Sequence, residues 1–172
     1  MSRIRTLELR GDHEADARAL RDAFGCFTTG VTVVTTTGER GAPVGFTANS
    51  FASVSLDPPL VLVCVDLSAN SLPALEAAGV FVVNVLHAGQ QEIARRFTSK
   101  GGDRFADTAF ERWATGAPVL DGCMANFECQ TERAFDAGDH RVFIGRVLEV
   151  RMDPDHEPLV FLRGGYCGVR TD

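Results

Sequence analysis

Cys123-Met124-Ala125-Asn126-Phe127-Glu128-Cys129-Gln130-Thr131-Glu132, answered after Ala137-Gly138-Asp139 by the run Arg141 to Val150, is the stretch that decides the fold class. Its smaller or apolar side chains, Cys123, Ala125, Phe127 and Cys129, alternate with Asn126, Glu128, Gln130 and Glu132. Successive strand side chains point to opposite faces, so this period of two predicts a half-buried strand with the apolar set inward. The turn chemistry at 137–139 makes the two runs an antiparallel hairpin.

Working outward, more strands follow. Val31 to Thr37 is entirely β-branched, which suits a pleated strand. After the turn residues Gly38 to Pro43, a further strand is expected near Val44–Ala48. Leu60 to Val65 is a continuous apolar run and reads as a fully buried strand. Phe81–Leu86, Leu159–Leu162 and Tyr166–Val169 complete the set. Helices are expected over 13–28, with Leu20, Phe24 and Phe27 on one face and Asp12 as cap, and over 68–78, with Ser71 as cap and Pro73 in the first turn. A third, over 90–97, turns Ile93, Ala94 and Phe97 inward. Lys100 to Phe105 reads as an exposed loop.

These elements do not alternate as βαβ units, and the chain has neither a G-x-G-x-x-G nor a G-x-x-x-x-G-K-[ST] sequence. The expected fold is mainly β with peripheral helices, an antiparallel barrel, closed or nearly closed, which removes exposed edges. Its length of 172 residues fits one domain, 1–172, with residues 1–12 as a flexible N-terminal segment.

A net charge of −6 and a pI near 5.2 repel phosphate backbones and anionic lipid, so neither nucleic acid nor a membrane is expected as partner. An anionic ligand would need a local device. The five cysteines, Cys26, Cys64, Cys123, Cys129 and Cys167, are odd in number, form no C-x-x-C pair and lie near no histidine cluster, so no metal site is expected. Cys64 and Cys129 read as core filler. The opening Met-Ser-Arg-Ile-Arg is followed by charge, not by an apolar run, and a reducing cytoplasm is the expected compartment.

Four places can carry chemistry. Gly45 to Ser55 holds Thr47, Asn49, Ser50, Ser53 and Ser55 between apolar strands, and is either a polar loop bonded to itself or a cradle for an acceptor-rich ligand. The start of the 68–78 helix offers free N–H groups, which also suit an ordinary cap. Arg104 presents a planar fork suited to phosphate, or is simply solvated. Gly138-Asp139-His140 is a hairpin tip with an ionisable ring.

In order along the chain, Gly30-Val-Thr-Val-Val-Thr35, Gly45-Phe-Thr-Ala-Asn-Ser-Phe51, Ser53-Val-Ser-Leu-Asp-Pro-Pro-Leu60, Phe81-Val-Val-Asn-Val-Leu86, Asp103-Arg-Phe105, Gly138-Asp-His140, Pro158-Leu-Val-Phe161 and Tyr166 resemble the flavin reductase-like family. Within it, they are similar to the short-chain reductase components of two-component, flavin-diffusible monooxygenases. The resemblance implies a Greek-key FMN-binding split β-barrel, a homodimer, FMN or FAD as flavin, and NADH or NADPH as electron donor. It implies further that Gly30, Val31, Thr32, Thr47, Ala48, Asn49 and Ser50 line the ring. Ser53, Val54, Ser55, Ser71, Asn84 and Arg104 would hold the ribityl and phosphate. Gly138, Asp139, His140 and Tyr166 would face the nicotinamide, with His140 as the catalytic candidate. Phe46 and Asn49 are positions able to tune flavin preference. The implied partner is a flavin-dependent monooxygenase that receives reduced flavin by diffusion. Two alternatives stay open here: reduction of another substrate, such as a corrin, on the same barrel, and a non-catalytic flavin- or haem-binding barrel.

Overall fold

The computed structural model describes residues 6, 8, 9, 11, 13–99 and 101–169. Most of the segment 1–12, the cap expected at Asp12, and Lys100 lie outside the described residues. In chain order the elements are α1 (His13–Phe24), β1 (Thr29–Gly30), β2 (Thr32–Thr37), β3 (Pro43–Ala48), β4 (Ala52–Leu56), β5 (Pro59–Asp66), α2 (Leu72–Ala78), β6 (Val80–Val85), α3 (Gln91–Thr98), β7 (Phe110–Arg112), β8 (Pro118–Leu120), β9 (Ala125–Ala137), β10 (His140–Met152), β11 (Val160–Leu162) and β12 (Gly165–Cys167).

Seven strands form one antiparallel sheet in the order β3-β2-β6-β9-β10-β5-β4. Its outer members, β3 and β4, are consecutive in sequence, joined by Asn49, Ser50 and Phe51. Laid flat, seven strands would hold those edges about 29 Å apart. The four Cα steps from Ala48 to Ala52 can span only about 14 Å. The sheet must therefore roll up. It forms the expected barrel, but not a sealed one: β3 and β4 do not pair with each other and remain edges, so the expectation that closure removes them is corrected. The barrel is split along this seam.

The interior is filled by Val34, Val61, Val63, Val65, Phe81, Val83, Cys129 and Phe143, with Leu72 and Leu75 of α2 packed against them. Full burial of each such side chain stabilises by about 1.5–3 kcal/mol. Gly145 on β10 makes room for the Phe81 ring, since a Cβ there would lie 2.9 Å from Cε1 of that ring. A second cluster, including Val31, Val33, Leu86, Phe97 and Leu159, seats α3 and the small β1-β11-β12 sheet on the barrel.

The hairpin of β9 and β10 is present, and Phe127 and Cys129 face the barrel interior as the alternation predicts, but the opposite face of β9 is covered too. Asn126 and Glu128 are buried, while Ala125 and Phe127 are only partly so. The cause is the β7–β8 hairpin, which the sequence reading did not foresee and which lies beside β6 and β9. Beneath it the Asn84 amide uses all its capacity. Its Nδ2 donates to Val33 O (2.9 Å) and Thr35 Oγ1 (3.1 Å), and its Oδ1 accepts from Leu120 N (2.9 Å) and Asn126 Nδ2 (2.8 Å). Glu128 Oε1 accepts from the backbone and hydroxyl of Thr115 at 2.8 and 2.7 Å. The threonines of β2 serve the same layer: Thr36 Oγ1 donates to Val80 O (2.7 Å), and Thr35 Oγ1 donates to Pro118 O. Polar side chains are buried here because each finds partners.

Four smaller expectations also change. α1 ends at Phe24, not 28, and Phe24 and Phe27 are 70% and 78% exposed; the backbone turns at Gly25 to run into β1. Residues 52–56 are a strand at the sheet edge, with Ala52, Ser53, Val54 and Leu56 exposed. β5 alternates, with Val61, Val63 and Val65 inward and Leu60, Leu62 and Cys64 only half-buried, so it is not covered on both faces. The second helix begins at Leu72, and Ser71 stands at its N-cap position without a side-chain capping bond.

Two predictions follow from this packing. Asn84→Ala leaves Val33 O, Leu120 N–H and the Asn126 amide short of partners, at about 1–3 kcal/mol for each orphaned group. A urea midpoint lowered by at least 3 kcal/mol-equivalent is expected, and an unchanged midpoint would show that water replaces the network. Burial also pushes the Cys123 thiol up to about 11 and the Cys129 thiol up to about 12. Both are raised above the unfolded value, so their contribution to stability is complete below about pH 8.5 and is lost as the pH climbs through the folded values. With a thiol reagent near neutrality, exposed Cys26 should react at once, and Cys123 and Cys129 only on unfolding.

Candidate active site

The seam opens into a cleft of about 570 Å3, inside the 300–1,000 Å3 range typical of small-molecule sites. One wall is the end of β3 and the crossing segment: Phe46, Thr47, Ala48, Asn49 and Ser50. The opposite wall is the end of β5 and the turn into α2: Cys64, Val65, Asp66, Ser68, Ala69, Asn70 and Ser71. α3 supplies Phe97 and Thr98, the following loop Arg104, and the tip of the long hairpin His140. A smaller recess of about 250 Å3 adjoins it, lined by Val31, Thr47, Ala48, Asn49, Thr98, Phe161 and Tyr166.

Local bonding explains why these walls keep their shape. Ser50 Oγ donates to Cys64 O (3.1 Å) and accepts from Cys64 N (3.0 Å), which clamps the crossing onto β5. Thr32, buried behind the wall, donates from Oγ1 to Ala48 O at 2.8 Å. Thr47 Oγ1 donates to Ala94 O (2.6 Å), so its hydroxyl holds α3. Arg104 donates to Gly45 O and Ser99 O, both at 2.8 Å, and keeps further guanidinium N–H groups for a ligand. Gly45 is small because Phe97 lies against it: a Cβ there would come within 2.8 Å of the ring.

The β5–α2 turn and the hairpin tip are built together. Leu67 N donates to Asp139 O (3.0 Å), and His140 stands opposite Asp66 in the β10–β5 register. Asp66 Oδ1 accepts from the Ser68 hydroxyl (2.6 Å) and backbone (2.7 Å), and these bonds hold its carboxyl below the usual range. His140 Nδ1 lies 2.7 Å from Asp139 Oδ1, and this bond holds the Asp139 carboxyl below its ordinary value. A carboxylate accepts, so Nδ1 carries the hydrogen and Nε2 is left for a ligand. Gly138 has φ +65°, the left-handed conformation that such a tight tip requires.

The residues picked from the sequence therefore separate. Thr47, Ala48, Asn49, Ser50, Ser71, Arg104 and His140 meet at the cleft, with Phe46 beside them. Val31 and Tyr166 meet at the adjoining recess. Gly30 pairs with Val160 and Thr32 supports the wall from behind, neither lining the cleft. Ser53, Val54 and Ser55 lie on the edge strand β4, away from the cleft lining, because the chain has by then crossed the seam. Asn84 is fully buried with its four bonds made inside the protein, so a ligand-holding role is corrected to a structural one. Gly138 and Asp139 shape the tip, and only His140 of the three reaches the lining. Sequence reading missed Asp66, and it named the 68–71 stretch for its backbone N–H groups without singling out the Ser68 and Asn70 side chains. Asp66-Leu67-Ser68 is an Asx-turn pattern, a signal that was legible after the apolar run.

The flavin reductase like domain model matches residues 24–170. The chain is 43% identical over 157 residues to the flavin-dependent monooxygenase reductase subunit HsaB of Rhodococcus jostii (strain RHA1), covering 91% of this chain and 80% of that one. It is 46% identical over 151 residues to the FMN reductase (NADH) SmoA of Agrobacterium fabrum, covering 88% and 85%. Another relative, a probable flavin reductase of Rhizobium meliloti (strain 1021), is 46% identical over 155 residues, and the chain spans only 50% of its length. Among solved structures, the NADH:FAD oxidoreductase SgcE6 of Streptomyces globisporus C-1027 superposes with a TM-score of 0.89 at 39% identity, covering 98% of this chain and 100% of that one. With a split barrel, an ordered set of motifs and a family match over nearly the whole chain, this protein belongs to the flavin reductase-like family.

Proposed function

We propose that the chain is an NAD(P)H:flavin oxidoreductase: it moves hydride from a nicotinamide to FMN or FAD and releases reduced flavin to a separate flavin-dependent monooxygenase. The observation that carries this reading is the donor set of the seam cleft. The Asn70 amide, the Ser71 hydroxyl, the unpaired edge of β3 and one arginine face apolar surface from Phe46, Val65 and Phe97, while the Asp66 carboxylate on the same lining is occupied by Ser68. Such a set fits a flat, acceptor-rich ring carrying a phosphate. Asn70, Ser71 and Arg104 would hold the polar tail, and Phe46 to Asn49 would lie along the ring.

When bound, the flavin supplies the two-electron chemistry. The chain supplies position. The Ser50 clamp keeps the two walls at a set separation, and Asp139 fixes the imidazole tautomer so that Nε2 of His140 can hold the carboxamide of the donor. Gathering both reactants in one cleft turns an encounter in solution into a step within a complex, which is a large part of what such a site contributes.

The same reading takes 1–172 as one domain acting in the cytoplasm as a homodimer. Exposed Val54 and Leu56 on β4, with Leu148, Val150 and Met152 on β10, offer the apolar surface a second copy would cover. Among the described residues no helix is long and apolar enough to cross a membrane. Exposed and half-buried free thiols at Cys26, Cys64 and Cys167 suit a reducing compartment.

Steady-state assays with NADH or NADPH and free FMN or FAD should show many turnovers for at least one pair; failure of all four pairs would sink the reading. His140→Ala should raise the KM for the donor by about tenfold, equivalent to one lost hydrogen bond of roughly 1.4 kcal/mol. Asp139→Asn should do so by a smaller factor. The KM for flavin should be unchanged in both, and equal effects on donor and flavin would remove His140 from its assigned place.

A further inference from the structure

Just beyond the end of β6, two imidazole rings stack. The centroids of His87 and His156 are 4.4 Å apart and the rings are inclined by 15°. Neither ring lines the seam cleft, and nothing assigned so far uses them. They join segments that are distant in sequence. His87 opens the short 3-10 turn Ala88–Gln90, which leads directly into α3. His156 lies in the strap 153–159, which leads into β11. Asp153 N donates to Met124 O (2.7 Å), Ala88 N to Glu157 O (2.8 Å) and Leu159 N to Leu86 O (3.0 Å), and His87 forms an isolated antiparallel bridge with Pro158.

The bonds of His87 set its tautomer. Its Nδ1 accepts from Gly89 N (3.1 Å), and its backbone N–H donates to Gln90 Oε1 (3.1 Å), a reciprocal cap on the turn. Gly89 lies against the ring, and a Cβ there would come within 2.8 Å of Cε1. An accepting nitrogen carries no hydrogen, so the ring is neutral, with its hydrogen on Nε2. On the other ring, His156 Nε2 lies 3.5 Å from Asp153 Oδ2, while Asp153 Oδ1 accepts from Asp155 N (3.1 Å). His156 and Asp153 are the groups that act on His87 by charge. The other charged residues of the packed elements are engaged differently: Glu92 pairs with Arg95, and Glu157 and Asp121 meet the turn through their backbone carbonyls.

A proton on His87 breaks two contacts together. Imidazolium carries hydrogen on both nitrogens, so the Gly89 N–H would face another N–H and the cap is lost. The charged ring would also stack on a second ring that repels it when charged. We propose that the His87–His156 stack is an acid-operated latch, which holds the strap 153–157 on the start of α3 while His87 is neutral and releases it when His87 is protonated. Both fastened segments run on into the walls described above, α3 with Phe97 and Thr98 and β11 with Phe161, whatever ligand those walls hold. Burial, and then the charge of His156, hold the His87 imidazole below its ordinary range against the opposing pull of Asp153. A folded value below the unfolded one means that the latch contributes fully above about pH 6.5 and loses its contribution as the pH falls through both values.

Nuclear magnetic resonance of the full chain between about pH 8 and about pH 5 tests this, with the ring Cε1–H signals reporting protonation and the Gly89 amide reporting the cap. The His87 midpoint should lie below about 6.5, and the Gly89 amide should shift along the same curve. Exchange protection of the Ala88 amide, corrected for the intrinsic effect of pH, should fall by about tenfold over that step, the equivalent of one lost hydrogen bond. His87→Asn keeps an acceptor for the Gly89 N–H and takes no proton, so its Ala88 amide should stay protected throughout. His156→Phe keeps a ring in the stack without its charge, and should raise the His87 midpoint. A Gly89 amide that does not follow His87, an Ala88 response that persists in His87→Asn, or a His87 midpoint unmoved in His156→Phe overturns the proposal.

Discussion

Ser50 bonds both the carbonyl and the N–H of Cys64, and the rest of the architecture depends on that clamp. The chain has to pass from one edge of a seven-stranded sheet to the other through Asn49, Ser50 and Phe51. So short a link forces the sheet to curl, yet it crosses the gap without letting β3 and β4 pair. A barrel that rolls up but cannot seal keeps a slot with backbone on one side and a turn on the other. The slot is the cleft, so the site is a consequence of how the barrel fails to close.

The outer layer shows how such a small barrel carries so many polar side chains inside. Asn84, Asn126, Glu128, Thr35 and Thr36 are buried, and apart from Glu128 Oε2 their polar atoms have partners in neighbouring strands or in the Thr115–Leu120 segment. Partners of this kind make burial tolerable and fix the strand register, because a slip by one residue would orphan several groups together. The β7–β8 hairpin is thereby fastened to β6 and β9 largely through amide and hydroxyl bonds.

The position of His140 depends on coupling between distant parts of the chain. The hairpin tip is set by the length of β9 and β10, while the turn after β5 is bonded to that tip through Leu67 N and Asp139 O. A ring at the end of a long hairpin would otherwise sway. Here it is fixed on one side by Asp139 and on the other by its register opposite Asp66, on a strand that also receives the Ser50 clamp. Positioning of the imidazole and integrity of the slot are consequences of the same contacts.

By itself, the sequence determined the strand-rich antiparallel class, the long hairpin, the β-branched strand 31–37, the helix carrying Ala94 and Phe97, and the family. These are set by local periodicity and turn chemistry, or by ordered motifs. It also named Thr47 to Ser50, Ser71, Arg104 and His140, which line the cleft, through the ordered family motifs, since residue types alone left a plain loop, an ordinary cap and a solvated arginine open. Tertiary structure alone decided that the polar face of β9 is buried as well, since that rests on a covering hairpin remote from the alternation. It alone separated Asn84, whose amide is consumed by core partners, from residues of the same chemical type that reach the cleft. It placed Ser53 to Ser55 beyond the crossing and brought Asp66, Ser68 and Asn70 into the lining. Side-chain alternation says that two faces differ, but which face meets solvent, core or ligand depends on what the rest of the chain lays over it.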